Sequence, residues 1–137
     1  MDAIYPAIWN HFAATTSTGF YNDVSGRMYE KKAPQETTFP YCVFMMVSEA
    51  DELDFTDDRE SLLIQFNIFS QNNSASEAGS LSDSLKTMFD NCSLTVTGWR
   101  HLGFQRRFAI PNDNLVQVPP IHGYSIEYEA LLEKARS

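Results

Sequence analysis

The chain has 137 residues, a length that suits one domain and lets roughly two thirds of the unfolded surface be buried, so neither disulfides nor zinc are needed to hold a core. Hydrophobic residues at 43% and aromatics at 13% exclude wholesale disorder, while charged residues at 20% leave a surface less charged than most, which hints at protein partners. Eighteen acids against ten bases give a net charge of −8, and a chain this acidic tends to repel phosphate backbones, which disfavours general nucleic-acid binding.

At the start of the chain, Ile4, Ile8 and Phe12, with Tyr5 and Trp9 alongside, form the stripe of a helix over residues 2–17 that docks one face. Pro6 is tolerated there because it falls in the first turn, where its missing N–H has no partner to lose, and Gly19 is expected to end the element. The early acid and the lack of a basic segment argue against a secretory signal, and no apolar run is long enough to span a bilayer, so the expectation is a protein made in the cytosol. From Phe20 to Phe39 periodicity is lost; Gly26 and Pro34 punctuate a long ordered loop, with room for a short strand at Arg27 to Tyr29.

"FPYCVFMMVSE" is apolar on both strand faces and has Pro40 at its start, where no ladder donor is lost. "SLLIQFNIFS" alternates instead, with Leu62, Ile64, Phe66 and Ile68 on one face and Gln65 and Asn67 on the other, the pattern of a half-buried antiparallel strand. Between these two strands a hairpin carries seven carboxylates and one arginine in the twelve positions Glu49 to Glu60. "SASEAGSLSDSLKTMFD" then reads as a second helix, with Ser74 and Glu77 at capping-box spacing and Ala78, Leu81, Leu85, Met88 and Phe89 at helical intervals. "SLTVTGWRHLGFQRRFAI" predicts a third strand bent or bulged near Gly98 or Gly103, and "YSIEYEALLE" a fourth with Tyr124, Ile126, Tyr128, Ala130 and Leu132 inward. Between those two, "IPNDNLVQVPPIHG" is a loop. The expectation is an α+β domain over residues 1–137: a mainly antiparallel four-stranded sheet with two helices on one face, in the order helix, strand, strand, helix, strand, strand.

The acidic hairpin is the stretch that most resembles chemistry. Counted from Asp51 as an EF-hand loop, it puts Leu53 at the third position, Phe55 at the fifth and Thr56 at the sixth, which fails for calcium. An acid/base pair needs one carboxyl buried enough to raise its pKa, and a hairpin tip is wet. A solvated or partner-facing surface is the better reading; a small metal-dependent or acid/base enzyme centred on these carboxylates is the rival, and a ligand-binding α+β domain a third. His11, His101 and His122 lack metal spacing, Cys42 and Cys92 form neither a CxxC pair nor a disulfide framework, no GxSxG elbow is present, and "GWRHLG" has no phosphate-loop lysine. No metal or cofactor is expected. Arg100, Arg106 and Arg107, beside Trp99, His101 and Phe104, form the largest basic cluster, read as exposed strand cations or a protein interface in preference to a DNA patch.

"GRMYEKKAPQETTFPYCVFMMVS", "IQFNIFS", "LSDSLKTMFD", "LTVTGW" and "HGYSIEYEALL", in that order, resemble the tail-completion family of long-tailed bacteriophages, the tail-terminator or tail-to-head joining proteins. The punctuation at Gly26 to Tyr29, Ala33 to Pro34 and Pro40 to Tyr41 carries most of the match, which spans about residues 4 to 132. The resemblance implies a non-enzymatic virion subunit that forms a ring, usually of six, on the end of the tail tube. Its partners would be further copies of itself, the tail tube protein and the head-completion or connector protein, with DNA passing through the channel unbound and no membrane involved. In such a ring the acids Asp51, Glu52, Asp54, Asp57 and Asp58 of one subunit would meet Arg100, Arg106 and Arg107 of the next, since a heterologous contact lets unlike patches face each other.

Overall fold

The computed structural model describes residues 3–17, 19–53, 58–71, 75–116 and 119–134. Its elements are α1 (Ile4–Phe12), α2 (Gly19–Asp23), β1 (Met28–Glu30), β2 (Tyr41–Leu53), β3 (Asp58–Ser70), α3 (Ser76–Phe89), β4 (Trp99–Pro111) and β5 (His122–Lys134). The strands form one mixed sheet in the order β1-β2-β3-β5-β4, in which β1 runs parallel to β2 and every other pairing is antiparallel. The class is α+β as expected, but the sheet has five strands instead of four and there are three helices instead of two.

Two of those differences lie in the segment expected to be a loop. Helix α1 stops at Phe12, because the threonines and serine that follow compete poorly for helix, and Gly19 opens α2 at φ +74° where it was expected to close the first helix. At five residues α2 is too short to show a period; it is held by Phe20, which is buried edge-on to Phe12, and by Asp23, which accepts a hydrogen bond from Ser84 Oγ at 2.6 Å. The short strand allowed for at Arg27 to Tyr29 is β1, shifted by one residue: Met28, Tyr29 and Glu30 pair with Cys42, Val43 and Phe44. Arg27 fixes the return of the chain: its Nε donates to the Pro40 carbonyl at 3.0 Å, next to the cis Phe39–Pro40 peptide.

Ser74 lies outside the described residues, and α3 begins without the expected capping box: its N-cap is Ala75, and Glu77 instead accepts a hydrogen bond from Ser70 Oγ at 2.5 Å.

All three helices cover one face of the sheet. On that face the alternation places Cys42 and Phe44 of β2, Leu62, Ile64, Phe66 and Ile68 of β3, and Ile126, Tyr128, Ala130 and Leu132 of β5, all buried as the sequence pattern required. Phe66 is the centre: its ring lies 6.0 Å from Phe44, 4.7 Å from Phe89 and 5.8 Å from Tyr128, so β2, β3, α3 and β5 meet on one side chain. Tyr128 stacks on Phe104 at 4.8 Å and donates its hydroxyl to Asp90 Oδ1 at 2.6 Å, the polar handle a buried tyrosine needs. Although the stretch Phe39 to Glu49 is apolar on both strand faces, among its described residues Cys42 to Phe44 are buried while Val47 is exposed at a bulge.

Candidate assembly surface

Among the described residues no helix covers the second face of the sheet. Along β5 it presents Ser125, Glu127, Glu129, Leu131 and Glu133, and the neighbouring strands answer those carboxylates with arginine. Glu133 is buried; Arg100 of β4 bonds its Oε1, and Arg59 of β3 lies 3.6 Å from its Oε2. Arg107 bridges Glu127 at 3.8 Å and Glu129 at 3.6 Å, and Ser61 Oγ donates to Glu129 at 3.0 Å. At the far end of this face Tyr41 packs between Phe39 at 5.2 Å and Phe69 at 5.0 Å, an aromatic cluster beside the charged ladder.

The structure separates the three arginines that the sequence groups together. Strand β4 has register shifts between His101 and Gly103 and between Arg106 and Phe108, so two bulges re-aim its side chains. Arg100 and Arg107 point to the open face, whereas Arg106 lies opposite Tyr128 on the helix-covered face and reaches Asp90 at 3.7 Å. On the acidic side, β2 and β3 stay paired through the carboxylate stretch, with Asp51 opposite Glu60, Glu52 opposite Arg59 and Leu53 opposite Asp58. The hairpin is therefore the end of the sheet and not a free arm. Asp54 and Asp57 lie outside the described residues, as does the link that contains them.

Among the described residues no group of three His, Cys, Asp or Glu side chains could hold a metal. Both cysteines are free; burial pushes the Cys42 thiol far up, and burial raises Cys92 to about 12, so neither offers a thiolate at neutral pH. Burial likewise lowers the pKa of His101, whose Nδ1 accepts from the Leu94 N–H at 3.3 Å, the arrangement of a structural imidazole. His11 sits at the boundary between α1 and α3, with Nε2 2.8 Å from the Met88 carbonyl. No described helix is long and apolar enough to cross a membrane.

What sequence reasoning missed is the distribution of apolar surface. The two most exposed large apolar residues, Leu115 at 64% and Val116 at 92%, sit in the loop after β4, and Phe108 and Ile110 on the end of β4 are also exposed. That loop is clamped: Asn112 N–H donates to the Gly123 carbonyl at 2.8 Å, and Asn114 and Ile121 exchange hydrogen bonds at 2.7 and 2.9 Å. Gly123 is required there, since a Cβ would stand 2.7 Å from the Ile68 carbonyl oxygen and 2.8 Å from that of Asn112. At the other end of the sheet, Tyr5, Pro6, Trp9, Glu30 and Phe44 line an open groove of about 360 Å³ between α1 and the β1–β2 edge. The pair "LV" between polar residues and prolines was the available signal for the first feature; the second has none in sequence.

No family model matches the chain, and neither does any curated protein sequence. Among solved structures, a chain in the virion of the native gene transfer agent particle superposes with a TM-score of 0.77 at 14% identity, covering 96% of this chain and 96% of that one. A second solved chain superposes more loosely, with a TM-score of 0.54 at 13% identity over 99% of this chain and 96% of that one. At such identities the likeness is one of fold, and it extends over nearly the full length of both partners.

Proposed function

We propose that this chain is a structural subunit of a phage or phage-derived virion, one that forms a ring of six on the end of the tail tube, stops tube growth and offers the surface to which the filled head attaches. The observation that carries the reading is the fold shared with a component of the gene transfer agent virion over 96% of both chains. It supports a virion structural role; the finer reading, a tail-completion subunit, rests on the order of the short sequence motifs. A non-enzymatic role fits the thiols held protonated and the carboxylates already engaged with arginines on the open face. A net charge of −8 suits a channel wall past which DNA slides without being held.

In the ring, the acidic end of the β2–β3 hairpin faces the arginines of the next subunit. Exposed pairs contribute only about 0.2–1 kcal/mol each, but a ring repeats them at every contact and salt weakens all of them together. Electron microscopy of the purified protein, alone and mixed with tail tubes, is the test. Rings seated on tube ends are expected; replacing Asp57 and Asp58 by lysine should leave the monomer folded and impair capping at low salt, with partial recovery when Arg106 and Arg107 become glutamates. Tubes that stay uncapped by the unaltered protein would remove the function, and full capping by the Asp57/Asp58 variant would remove the hairpin from the contact.

A further inference from the structure

Strand β2 outruns the strand beside it. On its outer side β1 pairs with Cys42, Val43 and Phe44, while β2 continues to Leu53. Among the described residues no strand follows beside Met46 to Leu53, so this stretch is bare on one side. Tyr5 of α1 closes its start: the hydroxyl accepts the Met46 N–H at 3.0 Å and keeps its own O–H to donate.

The bulge at Val47 decides which backbone groups face outward. Met46 gives its N–H to Tyr5, so Met45 with Gln65 is the hydrogen-bonded pair to β3, and past the bulge that role passes to Ser48 with Leu63, Ala50 with Ser61 and Glu52 with Arg59. Glu49, Asp51 and Leu53 therefore turn N–H and C=O to the bare side. Such a row of unpaired donors and acceptors is the template on which an added strand builds. Where β1 leaves this edge, Tyr5, Pro6, Trp9, Glu30 and Phe44 line the groove of about 360 Å³, a place for one large apolar side chain of that strand.

The sign of the partner's charge follows from distance alone. Neighbouring strands lie about 4.8 Å apart, well inside a Debye length of about 8 Å, so an added strand feels the acids of Glu49 to Glu60 whichever way their side chains turn. Arg59, the one base in that stretch, is engaged by Glu133. Two copies of this edge would set acid against acid. Nor does β4 of a second copy supply free cations, since its arginines are held by Asp90, Glu127, Glu129 and Glu133.

We infer that the bare edge of β2 receives an extended, basic segment of another protein, which pairs its backbone with Glu49, Asp51 and Leu53 and seats one large apolar side chain in the groove beside Trp9. About eight residues, at roughly 3.3 Å each, cover the stretch from Phe44 to Leu53. This contact uses the side of β2 and the ring contact uses the end of the hairpin, so each stands without the other.

Two labelled nine-residue peptides test it, each alternating valine with lysine and carrying one tryptophan, at the first position in one and at the last in the other. By fluorescence anisotropy at physiological salt at least one is expected to bind, and glutamate in place of lysine should abolish the binding. N-methylation of one alternate set of its amides should weaken it at least tenfold, while methylation of the other set leaves it unchanged, because an added strand bonds through one side only. Amide exchange followed by NMR should slow at least tenfold at Glu49, Asp51 and Leu53 and change far less at Ser48, Ala50 and Glu52, which already bond to β3. Trp9→Ala, at a half-exposed position on α1, should keep the fold and weaken binding at least fivefold. Binding that protects none of the three outward amides is charge attraction and overturns strand addition; equal binding by Trp9→Ala removes the groove from the contact; no binding by either peptide overturns the inference.

Discussion

The two faces of the sheet are built from the same strands and stabilised in different ways. The helix-covered face is a continuous aromatic and aliphatic layer around Phe66, whereas the open face alternates Glu127, Glu129 and Glu133 with arginines from both neighbouring strands. Burial of apolar surface does not require an exact partner, and among the described residues the first face carries charge only at its margin, where Arg106 reaches Asp90. On the second face the carboxylates of Glu127, Glu129 and Glu133 are each paired with an arginine of the same chain.

The sharpest way to break that contrast is to truncate both sides at one point of β3. Phe66→Ala empties the junction of β2, β3, α3 and β5 and should cost about 3–5 kcal/mol, while Gln65→Ala on the open face should change stability by less than about 0.5 kcal/mol. Urea melts of the two variants check it; equal losses would mean the open face carries as much of the fold as the covered one.

Glu133 is where the open face comes nearest to a core. Its carboxylate is buried between Arg59 and Arg100, so Glu133→Gln should cost about 1–3 kcal/mol, less than the loss of a buried aromatic because both arginines can turn to solvent. Arg107→Ala, which removes a half-exposed partner of Glu127 and Glu129, should cost under about 1 kcal/mol and lose most of that effect in high salt. Melts of both variants at low and high salt separate them: a salt-insensitive loss at Glu133 and a salt-sensitive one at Arg107 are expected.

How far the sequence reached follows the same division. The period-two runs of β3 and β5 were legible because one face of each is buried, Leu62 to Ile68 and Ile126 to Leu132, with Tyr124 partly buried at the end of the second. Helix α3 was legible for the corresponding reason, with Leu81, Leu85 and Phe89 on one stripe. β1 was legible only as room for a short strand at Arg27 to Tyr29, one residue short of its register, and α2 was not legible at all, since so few residues cannot show a period and both are held by distant partners, Cys42 to Phe44 in one case and Phe12 with Ser84 in the other. The arginines were grouped in sequence and split in space because two bulges in β4 change the facing of residues after His101; Gly103 marked one of them and nothing marked the other. The groove at Tyr5 and Trp9 depends on where β1 ends and so could not be seen before β1 was.

The smallest expected effect belongs to the covered face and concerns pH. His101 lies opposite Leu132 at the margin of the apolar layer, its Nδ1 accepting the Leu94 N–H. Burial, the larger cause, lowers its pKa below the ordinary value near 6.5, and His11 nearby adds to the shift, while a hydrogen bond with the Gly103 backbone opposes it. As pH falls the unfolded chain therefore takes up this proton first, so unfolding is favoured by acid. The contribution of His101 is present in full above about 6.5, diminishes as pH drops below that value, and is lost once the folded pKa is passed. Protonation would also turn Nδ1 from acceptor to donor against the Leu94 N–H. Melting temperature followed from pH 7.5 to 5 should fall in the unaltered protein and fall less in His101→Gln, whereas identical slopes would move the acid sensitivity of this fold away from the covered face.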